Sequence, residues 1–418
     1  MNLDQLFSTL TNRRDFFKQA AIASLAFGAG IELITGCATK VPKQIEPPPP
    51  PIPSPAELRN KAIDNLFKIN LAVRKYERVL VFTDDQNPIV MREAQHVAKR
   101  GASFAEIIFF TYSKTGLAGA EPPKELWEKA FGKKTIEQME HKDLMKKLLH
   151  KKINDEDLQR ARETVRANKN DVVEAVIALA WYSTTHTNFQ RLLTDSGGAR
   201  FAGMPAFNPG MWQTAMSANW EEVARRTLAL KTKLSGAASA HIETPNGTSL
   251  FLDLRGREFL VDTGLLNQPG QFGNLPGGEL SIAPVEKGSK GKMVIDPTIN
   301  PGVKGPIVFE VRGGRIQKMS GGTGYSSWLE SIFYKYPEGR VIAEFAVGTN
   351  DKAKIGTSTL ESEKALGTIH IAIGDNSTIG GRNSVPLHLD FLFGNSTVEI
   401  TFSDGRILNL LKDGKVLL

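Results

Sequence analysis

The strongest constraint on the fold of this chain lies in its last third. There, several segments that would pack as β-strands are each interrupted by a carboxylate or an imidazole. Side chains alternate between the two faces of a strand, so residues two apart share a face. In Leu366–Gly374, Ile369, Ile371 and Ile373 form one apolar row, and His370 points the other way between Thr368 and Ala372. In Pro386–Phe391, Leu387, Leu389 and Phe391 form the row, which leaves His388 and Asp390 side by side on the opposite face. Arg340–Gly348 carries a single carboxylate, Glu344, inside a hydrophobic run. An unpaired charge is costly to bury there, so a positive partner is expected beside it. The pattern predicts a sheet with one packed face and one face that presents polar ligands.

A divalent cation would satisfy these groups together, because imidazole and carboxylate are ordinary ligands for zinc, cobalt, manganese and iron. Glu279, in the turn Asn274–Glu279, is the fifth candidate beside Glu344, His370, His388 and Asp390. Taken singly, each has a plainer reading as a hydrogen-bonded strand histidine or a turn carboxylate. Five such groups exceed what one four-coordinate ion needs, which favours two ions sharing a carboxylate. Glu344 is the candidate for the catalytic base or the bridge, although the sequence does not separate it from Glu279.

Asn274–Glu279, Ala343–Asn350, Glu363–His370 and His388–Asp390, in that order, resemble the motif set of the thermophilic metalloaminopeptidases of the aminopeptidase T type. The resemblance covers roughly residues 230 to 400 and implies two divalent metal ions (zinc, cobalt or manganese) held by Glu279, Glu344, His370, His388 and Asp390. One position departs from the family: seven residues after the first histidine its peptidases carry a tyrosine, and here Ser377 stands in Gly374–Gly381. The chain also resembles the non-haem iron dioxygenases of the same fold that open dihydroxypyridine rings. For these the resemblance implies a single Fe(II) held by His370, His388 and Asp390, matching a known two-histidine, one-carboxylate pattern. Those relatives carry a Thr-His-Thr segment, found here as Thr185–Thr187, which makes His186 a candidate acid or base.

The N-terminus reads as an address. Asn12–Lys18 resembles a twin-arginine export motif built on Arg13 and Arg14, and an apolar stretch from Ala20 to Gly36 follows. That stretch contains Glu32 and several glycines and is a poor membrane span. Leu33–Cys37 then resembles the lipobox at which bacterial lipoproteins are cleaved and lipidated. Cys37 is the only cysteine, so no intrachain disulfide forms. The proline-rich segment before Pro55 favours extended polyproline geometry and acts as a semi-rigid spacer. The expected product is tethered to a membrane through Cys37, on its periplasmic or outer face. Because the twin-arginine route carries folded cargo, the metal could be inserted before export.

The formal charge is +7, part of it from lysines between Lys124 and Arg166 that read as a solvated helical face. Nucleic acid is not an expected partner, since no recognition motif accompanies the charge. Four expected strands, Val79–Asp84, Ala105–Thr111, Val176–Tyr182 and Arg200–Pro205, alternate with helical stretches such as Ile89–Arg100, which indicates a parallel α/β sheet. No glycine-rich phosphate loop follows any of them, so no nucleotide cofactor is expected. Asp84 and Asp85 end the first strand, where a turn or capping role is the simpler reading. Beyond residue 230 the chain turns to short β runs separated by glycine turns.

These readings give a signal segment over 1–36, a lipidated cysteine and linker over 37–58, an α/β domain over 59–230, and a β-rich α+β metal-binding domain over 231–418. The expected activity is metal-dependent removal of N-terminal residues from peptides. The alternatives are the mononuclear iron ring-cleaving dioxygenase and a lipoprotein that binds a metal or small molecule without turnover. Self-association into a homodimer stays open.

Overall fold

The computed structural model describes residues 53–417 apart from His186, Pro301 and Thr357. Arg13, Arg14, Cys37 and His186, all singled out above, lie outside the described residues. From Pro53 onward the chain forms one compact unit with mixed α/β architecture.

Four strands, β1 (Arg78–Asp84), β2 (Glu106–Tyr112), β3 (Ala175–Ala178) and β4 (Arg200–Gly203), pair in parallel in the order β2-β1-β3-β4. Asn87 opens the helix Pro88–Gly101 by accepting the backbone N–H groups of Ile89 and Val90 through its side chain. Val90, Ala94 and Val97 of that helix are buried in one core with Val79 and Val81 of β1, while Leu80 and Phe82 face a second core on the other side. β3 is shorter than the apolar run Val176–Tyr182 suggests. After Ala178 the chain leaves the ladder, and the Tyr182 N–H is taken up by the Asp84 carboxylate at 2.9 Å. Asp84 also accepts the Gln86 N–H in the turn after β1, whereas Asp85 accepts that of Lys114, beyond the end of β2.

The second half holds two antiparallel sheets. β5 (Ala237–Glu243) and β6 (Ser249–Asp253) belong to an eight-stranded sheet. β7 (Leu260–Asp262) and β9 (Glu279–Ile282) belong to a five-stranded one, and between them β8 (Phe272–Asn274) crosses back to add a fifth parallel strand beside β4. The eight-stranded sheet is completed by β10 (Lys290–Ile295), β11 (Ile307–Arg312), β12 (Arg315–Gly321), β16 (Thr397–Phe402), β17 (Ile407–Lys412) and β18 (Lys415–Val416). The five-stranded sheet is completed by β13 (Ile342–Gly348), β14 (Ile369–Gly374) and β15 (His388–Phe393), giving the order β15-β14-β13-β9-β7. Phe345, Val347, Ile369, Ile371, Ile373, Phe391 and Phe393 on one face of this sheet pack into a common core with residues such as Ile307, Phe309, Val398 and Ile400 of the larger sheet. The expected apolar rows are therefore the packed face. Among the described residues, no helix is long and apolar enough to cross a membrane.

Asn274–Glu279 is the covalent junction between the parallel sheet and the five-stranded sheet, because it ends β8 and begins β9. Asn350 fastens it, donating through Nδ2 to the carbonyls of Gly277 and Ala215 at 3.1 Å each. Gly278 sits at φ +113°, and a Cβ there would lie 2.8 Å from the Asn350 Cβ. Gly278→Ala is expected to cost roughly 1–3 kcal/mol of stability through backbone strain and this clash. A denaturation curve with an unchanged midpoint would show that the junction tolerates a side chain.

Candidate metal centre

Strand register places the polar side chains on the face opposite the core. His370 pairs with Ala346 of β13 and Leu392 of β15, Glu344 and Asp390 both pair with Ala372, His388 with Gly374, and Glu279 with Gly348 and with Asp262 of β7. Alanine and glycine at 346, 348, 372 and 374 keep this patch free of large side chains, so the ligands converge above them. Glu344 continues the unbroken register of Phe345, Ala346 and Val347 against β14, which puts it on the face of Ala346; the irregularity of β13 falls beyond it, toward Ile342.

All five expected residues meet here. The His388 Nε2 lies 3.1 Å from Glu344 Oε2 and 3.4 Å from Asp390 Oδ1. The His370 Nε2 lies 3.7 Å from Glu279 Oε2 and 3.9 Å from both Glu344 Oε1 and Asp390 Oδ1. At 2.7 Å, the His388 Nδ1 meets the carbonyl of Asp375. It can donate only if it carries the proton, which directs the Nε2 lone pair of a neutral ring into the cluster, the arrangement common for metal-bound histidines.

Three residues that strand alternation had not marked complete the site. Lys364 is 2 % exposed, and its ammonium lies 2.6 Å from Glu279, 3.1 Å from Glu363 and 3.9 Å from Asp262. Glu363 and Lys364 follow a short helix, Thr359–Ser362. The available signal was Glu363, which opens one of the motifs that carry the family resemblance.

The electrostatics call for a cation. Burial pushes Glu363 up to about 7 and Asp262 up to about 6. Burial also opposes ionisation of Asp390 and Glu344, but the two imidazoles hold both carboxylates below their ordinary values. Conversely, burial disfavours charge on the imidazoles, yet the surrounding carboxylates raise His370 above its ordinary value and His388 well above it. Among the described residues, two triplets of ligand atoms lie within 4.8 Å of one another: Glu344, His388 and Asp390, and Glu363, His370 and Asp390. Asp390 belongs to both. Its Oδ1 is buried without a hydrogen-bond partner, as expected of a site built around a group other than protein. The donor set therefore fits a divalent ion. One such ion would replace two imidazolium protons with no change in the net charge of the site.

Residues 135–417 match the family model described as NicX: 2,5-dihydroxypyridine 5,6-dioxygenase. The chain belongs to this family. A Pseudomonas putida protein named 2,5-dihydroxypyridine 5,6-dioxygenase is 25% identical over 198 residues, 43% of this chain and 56% of that relative, so the chain spans little more than half of its length. The solved structure of the 2,5-dihydroxypyridine dioxygenase from Pseudomonas putida KT2440 superposes with a TM-score of 0.60 at 19% identity, covering 88% of this chain and 98% of that one. Wild-type AmpT from Thermus thermophilus superposes at 0.58 and 16%, covering 87% of this chain and all of the other.

The expected metalloaminopeptidase is thereby corrected, together with its hydrolase and metalloprotease character. The family over most of the chain is that of the ring-cleaving dioxygenases, and the aminopeptidase likeness is one of fold. The structure agrees in one detail. Ser377, where the peptidases carry tyrosine, lies exposed in a turn with its hydroxyl on Asp375 at 3.0 Å, and offers no phenol to a tetrahedral intermediate.

Ion binding requires both imidazoles to be neutral, whereas the carboxylates favour their protonated form, so affinity for a divalent ion weakens as pH falls. Binding should release protons, and the release should shrink as pH rises through the elevated imidazole values, which calorimetry in buffers of different ionisation heat reads directly. Asp390→Asn, which alters the ligand common to both triplets, should weaken binding by about 100-fold, whereas a merely structural role for Asp390 would leave affinity within a few-fold.

Proposed function

We propose that this protein is a mononuclear iron(II) dioxygenase that opens the ring of a dihydroxylated nitrogen heteroaromatic, with 2,5-dihydroxypyridine the first candidate substrate. His370, His388 and Asp390 hold the ion. The observation that carries the reading is the position of Asp390, whose Oδ1 stands between the two imidazoles, 3.4 Å from the His388 Nε2 and 3.9 Å from the His370 Nε2, in a chain of the NicX family. When bound, iron(II) supplies the electron chemistry by which ground-state dioxygen can react with an aromatic ring. Both oxygen atoms enter the product, the ring bond between carbons 5 and 6 breaks, and the ring itself supplies the electrons.

The remaining groups divide the protein's work. Glu344, 6 % exposed and beside His388, takes the proton from a ring hydroxyl, because Glu279 and Glu363 are engaged by Lys364. A carboxylate so placed acts as a general base within hydrogen-bond reach of a substrate seated over the triad. The loop through Thr184 and Thr187 approaches the same junction, with the Thr185 hydroxyl 3.4 Å from the Asn274 side chain. His186, between Thr185 and Thr187 in the sequence, is proposed as an acid or base from the Thr-His-Thr likeness alone.

We also read Arg13, Arg14 and Cys37 as an export and lipid-anchor signal, supported by their order and by the proline spacer. Replacing Cys37 with alanine should move the protein from the membrane fraction to the soluble one. Unchanged membrane association would refute the anchor.

Protein loaded anaerobically with iron(II) should consume dioxygen when given 2,5-dihydroxypyridine, with both atoms of labelled dioxygen recovered in the ring-opened product. His370→Ala, His388→Ala and Asp390→Ala should each lower turnover at least ~1000-fold. Glu344→Gln should still bind iron through His370, His388 and Asp390 and lose roughly 100- to 10,000-fold in rate, the usual range for a missing base. Absence of dioxygen uptake with every dihydroxypyridine isomer would sink the assignment.

A further inference from the structure

We propose that the Lys364 ammonium is a built-in cation that takes the place of a second metal ion, holding Glu279 out of the coordination sphere and restricting the centre to one divalent ion. This rests on the metal-centre reading above and goes beyond it, because it explains why a site with five carboxylates would hold one ion.

The geometry is that of a constructed pocket. An ammonium has three donors and no acceptor, and Lys364 meets three carboxylates, from β9 (Glu279), from its own neighbour in the chain (Glu363) and from β7 (Asp262). Its side chain is 3 % exposed, so this charge was placed in the interior at a cost that only its partners repay. Backbone bonds fix the segment. The Lys364 carbonyl accepts the Asn350 N–H at 2.9 Å, and its own N–H donates to Glu361 at 3.1 Å. Gly348 makes the approach feasible: a Cβ there would lie 2.8 Å from the Lys364 carbonyl carbon and 2.2 Å from the Ala365 oxygen. Any side chain at 348 would lift the lysine off the sheet.

The ligand geometry gives independent support. Neither convergent triplet contains Glu279, although Glu279 begins a strand of the same sheet. Its Oε1 is spent on Lys364 at 2.6 Å, and its Oε2 lies 3.7 Å from the His370 Nε2. Glu279 therefore sits between an ammonium and an imidazole, as a link in a charge chain. Removing the ammonium without removing the carboxylates leaves Glu279, Glu363 and Asp262 facing one another with no cation, an arrangement that a second divalent ion relieves.

Manganese(II) serves as the probe, because a lone ion and a carboxylate-bridged pair give different electron paramagnetic resonance spectra. Wild-type protein freed of metal and titrated with manganese(II) should bind about one ion per chain and show an uncoupled signal. Lys364→Met should bind about two with a spin-coupled signal, Lys364→Arg should stay near one, and Lys364→Met combined with Glu279→Gln should return to one. Two tightly bound ions in the wild type, or one in a Lys364→Met protein with an unaltered circular dichroism spectrum, overturns the proposal. If Lys364→Met does not fold, Lys364→Gln, uncharged but still polar, takes its place, and a count of one in that protein overturns the proposal equally. Wild-type protein that binds no manganese overturns the metal-centre reading on which the proposal rests, and that result is distinct from a count of two.

Discussion

Crowding negative charge onto the inner face of a small sheet is the constraint around which the rest of this molecule is arranged. Asp262, Glu279, Glu344, Glu363 and Asp390 converge where water is largely excluded, and such a cluster is tolerable only when cations stand among the carboxylates. The chain supplies one permanent cation, Lys364, and two conditional ones, His370 and His388. Protons on the imidazoles and a divalent ion between them are alternative ways to meet the same demand, which makes the site at once a base-rich pocket and a metal trap.

The architecture follows from keeping such a patch rigid. Four of its residues sit on the adjacent strands β13, β14 and β15, whose opposite face is locked into the core by Phe345, Ile371 and Phe391. A ligand on a strand whose next neighbours are buried isoleucines has little freedom to drift, and precise placement is what metal binding and catalysis both require. The fifth ligand candidate, Glu279, enters from the junction with the parallel sheet, so the position of one domain is tied to the charge balance of the other through Asn350 and Gly278.

Strand periodicity alone sufficed for the central part of the site. The isoleucine rows flanking His370 and the Leu387, Leu389 and Phe391 row flanking His388 and Asp390 could be packed only one way, which set the opposite face. Residues outside such rows were not legible. Asp262 lies on a three-residue strand with no apolar alternation, and Lys364 lies in a charged stretch after a short helix, the commonest setting for a solvated lysine. β8, only Phe272, Gly273 and Asn274, lacks the β-branched run that marks a strand and exists because β4 offers it an edge. The α/β alternation of the first half was plain throughout, apart from the end of β3, where apolar residues continue after the ladder has stopped.

Why the motifs reported the fold more faithfully than the reaction has a physical explanation. Glu279, Glu344, His370, His388 and Asp390 say that cations are needed on this face, and that need is shared by hydrolytic and oxidative chemistry alike. Which chemistry follows depends on how many of the ligands are free and on what stands nearby, and those choices are made by side chains that carry no periodic signal. Lys364 engages Glu279, and Ser377 stands where the peptidases carry a phenol, while two imidazoles and a carboxylate remain on the same face. One fold can therefore serve different chemistries, because a cage of carboxylates and imidazoles sets where charge collects and its neighbours set what that charge is used for.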